Sequence, residues 1–235
     1  MGINLGDLTS EATSAPLGAN STQVTSAPAP AVAPTPVAPE PTPIQVPGGV
    51  SLNLSKNTVL DLTKRNPGLT KVVLAAGWDV AQTGADFDLD ISAFMLKNNG
   101  KISSGNDVVF FNNMQQPGIK LNGDNRTGAG EGDDETIDID LALVPHDVHR
   151  IAFCVSIADA VNRRQTFGMV NNSYVRLLDA ANNNKEICRF VLKDNYATDT
   201  SVIFAELIRK GNEWDFKALG EGKQGDLNAI AAYYS

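Results

Sequence analysis

Aromatic residues make up only 6% of this 235-residue chain, and it contains just two cysteines. Cys154 and Cys188 sit in apolar, strand-like runs, Ile151-Ala-Phe-Cys-Val-Ser-Ile157 and Ile187-Cys-Arg-Phe-Val-Leu192. They read as buried structural thiols, and their number and spacing offer neither a disulfide framework nor a zinc site. No apolar run approaches the roughly 20 residues needed to cross a bilayer. The first residues lack the basic and apolar regions of a secretory signal, so the expected location is cytoplasmic. Positive charge is also scarce: 19 Lys and Arg stand against 27 Asp and Glu, for a net charge of -8 and a pI near 4.7. A nucleic-acid backbone needs clustered Lys and Arg to displace its counterions, so nucleic acid is excluded as a partner. Cations, basic partners or plain solubility suit an acidic chain equally well.

The deficits are uneven along the chain. Residues 1–48 contain no Lys, Arg, Trp, Tyr or Phe, and Ala, Pro, Ser and Thr dominate. The stretch from Ala27 to Pro43 alternates proline with small residues. Proline removes backbone donors and locks φ, which gives a semi-extended polyproline II spacer that joins neither helix nor sheet. Such a segment buries too little apolar surface to offset its ordering entropy, so residues 1–48 are expected to be a disordered Ala/Pro-rich tail and linker. Ile3, Leu5 and Leu8 precede the linker. They read as an unstructured terminus or, alternatively, as a short docking peptide held away from the domain.

All 19 basic residues and 24 of the acids lie beyond the tail, so residues 49–235 form a folded domain of net charge -5. Short β-rich runs recur there between Gly, Asn and Asp turns: 50–54, 71–78, 88–96, 108–112, 134–139, 150–157, 174–179, 186–192, 201–209 and 214–219. Several alternate apolar and polar residues, the mark of a half-buried strand. Asn98-Asn-Gly100 and Lys210-Gly-Asn212 read as tight hairpin turns. Helical patterns are confined to 159–167 and 226–234. The expected fold is all-β, a β-sandwich of about ten short strands with one or two short helices.

Acidic residues crowd two segments of this domain. In Asp86-Phe-Asp-Leu-Asp90 the carboxylates occupy every second position, so a strand would project Asp86, Asp88 and Asp90 from one face. The second segment, Gly123–Glu135, packs five carboxylates and an Asn among four glycines. Calcium takes six to eight hard oxygen ligands from a pliable loop, and this composition supplies them. A solvated acidic loop is the competing reading for either segment alone. Neither fits the twelve-residue EF-hand pattern. Paired carboxylates also serve glycosidases, but here they come in excess and without aromatic sugar platforms.

Other catalytic readings are poor. His146 and His149 look like turn residues at a helix-to-strand junction, and two histidines without nearby cysteines make a weak zinc site. A phosphate-cradling loop ending in Lys-Ser/Thr, a nucleophile elbow and a dinucleotide fingerprint are all missing. The chain is therefore expected not to be an enzyme.

Across residues 48–235, the blocks Gly48–Lys56, Gly77-Trp-Asp79, Asp86–Asp90, Val109–Asn113, Gly123-Asp-Asn125 and Gly130–Glu135 resemble, in order, those of the TerD-like tellurium-resistance and general stress proteins. Val155-Ser-Ile157, Gln165–Gly168, Ala205-Glu-Leu207 and Trp214–Ala218 extend the likeness. The resemblance implies a β-sandwich with two neighbouring calcium ions at the acidic loops. It implies the ligands Asp86, Asp88, Asp90, Asn112, Asp124, Asn125, Glu131, Asp133, Asp134 and Glu135, with Asp79 and Asp159 helping to anchor the loops. Asp138 and Asp140, outside these blocks, read as solvent-facing strand residues. Family members act in resistance to tellurite, other chemical stress, phage and pore-forming colicins. The implied role is a calcium-dependent module that binds a protein partner or anionic lipid near the inner membrane. The alternatives are a calcium-stabilised tethered subunit and a metal-assisted hydrolase. The long tail departs from typical members and suggests tethering.

Overall fold

Alternating and continuous apolar runs pair into two stacked sheets. A computed structural model of the chain describes residues 51–79, 87–123, 132–191 and 196–235; the expected tail lies outside them. The strands in chain order are β1 (Leu52–Asn53), β2 (Val59–Asp61), β3 (Lys71–Asp79), β4 (Leu89–Leu96), β5 (Val108–Val109), β6 (Gln115–Gln116), β7 (Ile119–Asn122), β8 (Glu135–Asp140), β9 (Arg150–Ile157), β10 (Asn171–Asp179), β11 (Lys185–Val191), β12 (Ser201–Lys210) and β13 (Glu213–Lys223). Three short helices accompany them: α1 (Leu62–Arg65), α2 (Ala160–Arg163) and α3 (Leu227–Tyr233). One sheet runs β1-β11-β10-β3-β8-β7-β6 and the other β2-β13-β12-β9-β4-β5. Pairing is antiparallel throughout except where β1 lies parallel to β11.

The sandwich matches the expected fold class, with thirteen described strands in place of about ten. Ile119-Lys-Leu-Asn122 does alternate, buried at Ile119 and Leu121, but four residues between glycine turns give a weak signal. β2 and β6 are shorter still. Lys210-Gly-Asn212 closes the β12–β13 hairpin with Gly211 at φ 65, a left-handed conformation in which a side chain is strained. The histidines need correction: His146 and His149 lie in the turn between β8 and β9, a strand-to-strand junction. Asp138 is exposed, while Asp140 is half-buried with Lys71 at 3.5 Å.

The main core fills the space between the sheets, with Leu74, Ile91, Ile137, Phe153, Leu177, Phe204 and Leu207 at its centre. A second apolar cluster lies on the far face of the β9–β4–β12 sheet. There Phe94, Ala152, Cys154 and Ile203 meet Leu227 and Ile230 of α3 and Tyr234 just after it. Asp226 caps α3 by accepting from the Ala229 amide at 3.0 Å. This cover explains why β4, β9 and β12 read as continuous apolar runs: both of their faces are buried. The two cysteines are buried as expected, and burial pushes both thiols up to about 12.

Glu206 is the uncomfortable member of that outer face. It is 7% exposed beside apolar neighbours, and its strand partners are Ala152 and Lys217. Burial raises its pKa; Arg150 and Lys217 partly offset the rise, and Glu221 adds to it. A carboxyl that holds its proton more tightly when folded costs stability once ionised. Replacing Glu206 with Gln should therefore raise the urea midpoint at pH 7. The gain should shrink as pH falls and vanish below the ordinary carboxyl value of about 4.3. Equal gains at pH 7 and pH 4 would show that the charge is not the cause.

Candidate functional site

The register of both sheets collects one set of loops at one end of the sandwich. Ala76 of β3 pairs with Glu135 at the start of β8, and Asn122 at the end of β7 pairs with Thr136. In the other sheet Leu89, opening β4, pairs with Ile157, closing β9. The described residues just before β4 and β8, Phe87-Asp88 and Gly132-Asp-Asp134, therefore emerge together; each ends in carboxylates of an acidic segment. The antiparallel β4–β5 pairing sends the exposed Asn112, three residues past β5, toward the Asp90 end of β4.

Six of the ten candidate ligands are described: Asp88, Asp90, Asn112, Asp133, Asp134 and Glu135. Asp86, Asp124, Asn125 and Glu131 lie outside the described residues. Asp88 is half-buried, and its carbonyl accepts from the Ala158 amide at 2.8 Å, which ties the first acidic segment to the end of β9. Asp90 is half-buried opposite Ser156. The triplet Asp133-Asp134-Glu135 is the most closely engaged group, because its three carboxylates reach three different strands.

Glu135 is 2% exposed, and its Oε2 accepts from the Ile91 amide of β4 at 2.7 Å. That bond crosses from one sheet to the other and sets the second acidic segment against the first. Asp134 Oδ2 accepts from the Trp78 amide at 2.9 Å, while its own amide donates to the Ala76 carbonyl at 2.9 Å. These two bonds extend the β3–β8 ladder past its last regular pair. Asp133 turns to the outer face of its sheet. Arg176 Nε and Nη2 donate to its two oxygens at 2.8 and 2.7 Å, a bidentate pair, and the Tyr174 hydroxyl donates to Oδ1 at 3.1 Å.

Asp133 is thus committed to a guanidinium. Burial alone would lower the Arg176 pKa, but its hydrogen bonds to Asp133 and the nearby charge raise it. The Tyr174 phenol is pushed up to about 12 by burial and then by the Asp133 charge. The Gly132 carbonyl lies 3.0 Å from the same hydroxyl, so its one proton is shared between the two acceptors. The ring lies over Gly77: a Cβ there would sit 2.5 Å from the Tyr174 ring. Glycine at 77 is therefore required so that Tyr174 can lie flat and hold the loop.

Arg189 stacks 4.3 Å from the centre of the Tyr174 ring and donates to Glu186 at 2.9 and 3.2 Å. The β10–β11 register skips at Ile187, and this bulge brings Glu186 onto the face of Arg176 and Arg189. Burial opposes the Glu186 charge, but hydrogen bonds from Arg189, Ser51 and Arg176 outweigh it and hold its pKa low. Sequence reading missed Tyr174, Arg176, Glu186, Arg189 and Ser51. The alternation in Tyr174-Val-Arg-Leu177 did mark a polar strand face, but nothing local named its acidic partners.

Chemically the candidates offer only hard oxygen donors, which suit calcium and do not suit soft or imidazole-preferring metals. Among the described residues, no group of three or more His, Cys, Asp or Glu is disposed to hold a metal ion. His146 and His149, between the end of β8 and the start of β9, are at the opposite end of the strands. Among the described residues no helix is long and apolar enough to cross a membrane.

A two-sheet sandwich with acidic segments gathered at one apex is the class of protein that these features define. The TerD domain model matches residues 50–234. The chain is 43% identical over 189 residues to general stress protein 16U of Bacillus subtilis (strain 168), covering 79% of this chain and 97% of that protein. It is 42% identical over 188 residues to tellurium resistance protein TerD of Serratia marcescens, again covering 79% and 97%. A solved structure of a protein of unknown function, 27% identical, superposes with a TM-score of 0.57 over 70% of this chain and 95% of its own. A second, of a TerD homologue from Streptomyces coelicolor A3(2), is 24% identical with a TM-score of 0.56, over 70% and 96%, and shares the fold. The chain belongs to the TerD family of tellurium-resistance and general stress proteins.

The Gly77–Tyr174 packing makes a direct prediction. Tyr174→Phe should cost about 1 kcal/mol in guanidinium unfolding, the loss of its hydroxyl bonds. Gly77→Ala should cost more, about 1–3 kcal/mol, because it displaces the whole ring. A Gly77→Ala variant as stable as the wild type would show that the ring can move aside freely.

Proposed function

We propose that this chain is a calcium-binding stress-response module of the tellurite- and chemical-stress type, acting by binding and not by catalysis. The observation that supports this most is the Glu135–Ile91 hydrogen bond, since it holds the end of the second acidic segment against the strand that follows the first. Like charges at that separation repel, and a divalent cation relieves the repulsion while tying the loops together. Asp88, Asp90, Asn112, Asp134 and Glu135 would contribute to the donor set for two ions only together with Asp86, Asp124, Asn125 and Glu131, since the described carboxylates alone form no metal-holding group. Asp133 is reassigned from ligand to anchor, because Arg176 occupies both of its oxygens.

The names of the relatives support a stress role: one is a general stress protein and another a tellurium resistance protein. Calcium is a weak Lewis acid for hydrolysis. The two histidines, which would be the readiest general bases, sit at the far end of the strands from the carboxylates. The bound module would present its apex to a protein partner at the inner face of the membrane, with the Ala/Pro-rich tail as tether. A second reading has calcium serving stability alone. It is favoured by the protein hydrogen bonds that Asp134 and Glu135 already make.

Calorimetric titration of calcium into chelator-stripped protein tests the proposal. Saturable binding, much weaker magnesium binding, and loss of calcium binding in Asp88→Asn combined with Asp90→Asn are expected. Calcium at 100 times Kd should also stabilise the fold by about 2.7 kcal/mol. Absence of heat at millimolar calcium would refute the site. Binding too tight to reverse with cellular calcium would favour the purely structural reading.

A further inference from the structure

The described chain enters the fold at a charged ring that leads to the acidic apex. Ser51 lies immediately before β1, a two-residue edge strand exposed at both residues. Its hydroxyl donates to Glu186 Oε1 at 2.5 Å. Oε2 of Glu186 then accepts from Arg176 Nη1 at 3.2 Å, and the other nitrogens of Arg176 clamp Asp133. A second arm closes the ring: Glu186 holds Arg189, Arg189 stacks on Tyr174, and the Tyr174 hydroxyl donates to Asp133. Ser51 and Asp133 are thus joined by two short routes, although they lie 82 positions apart in the chain.

This arrangement is largely shielded. The side chains of Arg176, Asp133, Arg189 and Glu186 are 16%, 14%, 10% and 5% exposed. Two cations face two anions, so each anion's share of Arg176 depends on what else satisfies it. Ser51 supplies one of the donors that Glu186 receives. Without it, Glu186 would draw more heavily on Arg176, at the expense of the clamp on Asp133. Among the described residues the backbone hold on this side is weak: β1 pairs with β11 at two positions, followed by the Leu54 amide donating to the Arg189 carbonyl at 2.8 Å. Edge strands this short open readily.

We propose that Arg176 is a positioning residue that couples the tail junction at Ser51 to the acidic apex at Asp133, so that engaging or loading the tail changes how firmly the apex is held. Its consequence for cation affinity rests on the calcium reading above; the coupling itself does not. Linkage makes the effect reciprocal: whatever steadies Asp133 also steadies β1 against β11. The tail then does more than tether, because its point of attachment is wired to the binding end of the domain.

The test is a double-mutant cycle on the full chain, read by amide hydrogen exchange in calcium-free buffer. The reporters are the Asp134 and Trp78 amides at the apex and the Leu54 amide at the junction. Ser51→Ala should speed exchange at Asp134 and Trp78 by about two- to tenfold, the lower part of the range for couplings within one hydrogen-bonded network. Asp133→Asn should speed Leu54 in return, and the double variant should show less than the sum of the two effects. Thr63→Ala is the control. It removes the acceptor of the Trp214 amide at the other sheet's edge and should leave the apex amides unchanged. Apex exchange in Ser51→Ala no faster than in Thr63→Ala, or additive effects in the double variant, would overturn the proposal. A calcium arm separates the two ideas. If calcium slows apex exchange in the wild type, Ser51→Ala should need severalfold more of it. If calcium changes nothing, the calcium reading fails, while the calcium-free cycle still decides the coupling.

Discussion

Everything at the acidic apex of this domain depends on how three consecutive carboxylates are held in place. Asp133, Asp134 and Glu135 would repel one another along any ordinary strand start. Here each is drawn to a different partner: a guanidinium on β10, a backbone amide on β3, and a backbone amide on β4 of the opposite sheet. Hydrogen bonds to a charged acceptor contribute about 1.5–3 kcal/mol each, and leaving such a group buried and unmade costs comparably. The triplet therefore welds the apex of the sandwich at the point where the two sheets would otherwise splay. The same bonds fix where the second acidic segment leaves the fold.

The remaining architecture serves that junction. Gly77 admits the Tyr174 ring, and Tyr174 in turn carries the Gly132 carbonyl and Asp133. The bulge at Ile187 turns Glu186 toward Arg176 and Arg189, so the outer sheet face holds a closed ring of charge where a solvated surface would be ordinary. The α3 cover makes the other sheet a rigid, doubly buried slab. Its strand β4 can then present Ile91 to Glu135 at a fixed place.

Much of this was legible in the residues. Short β-rich runs between turn residues placed most strands within a residue or two, as at 150–157 and β9, and the sandwich followed from their number and turns. β2 and β6 escaped because two or three residues carry no periodicity. α1 escaped because its four residues hold a single buried apolar side chain, Leu62. The acidic segments stood out by composition, but composition treats all carboxylates alike. Nothing in Asp133-Asp134-Glu135 distinguishes the one clamped by arginine from the one that bridges the sheets, since their partners lie 43, 56 and 44 residues away. Long-range pairing sorts anchors from candidate ligands, and a single sequence does not display it.

The central claim is that the carboxylate triplet builds the apex before any cation arrives. The measurement that tests it most directly is exchange protection of the Ile91 amide in chelator-stripped wild-type protein, compared with the same amide in Glu135→Gln. The account predicts strong protection in the wild type without calcium and a clear loss in the variant, because Oε2 of the carboxylate is its acceptor. An Ile91 amide that exchanges freely until calcium is added would contradict it, and would mean that the cation assembles the apex.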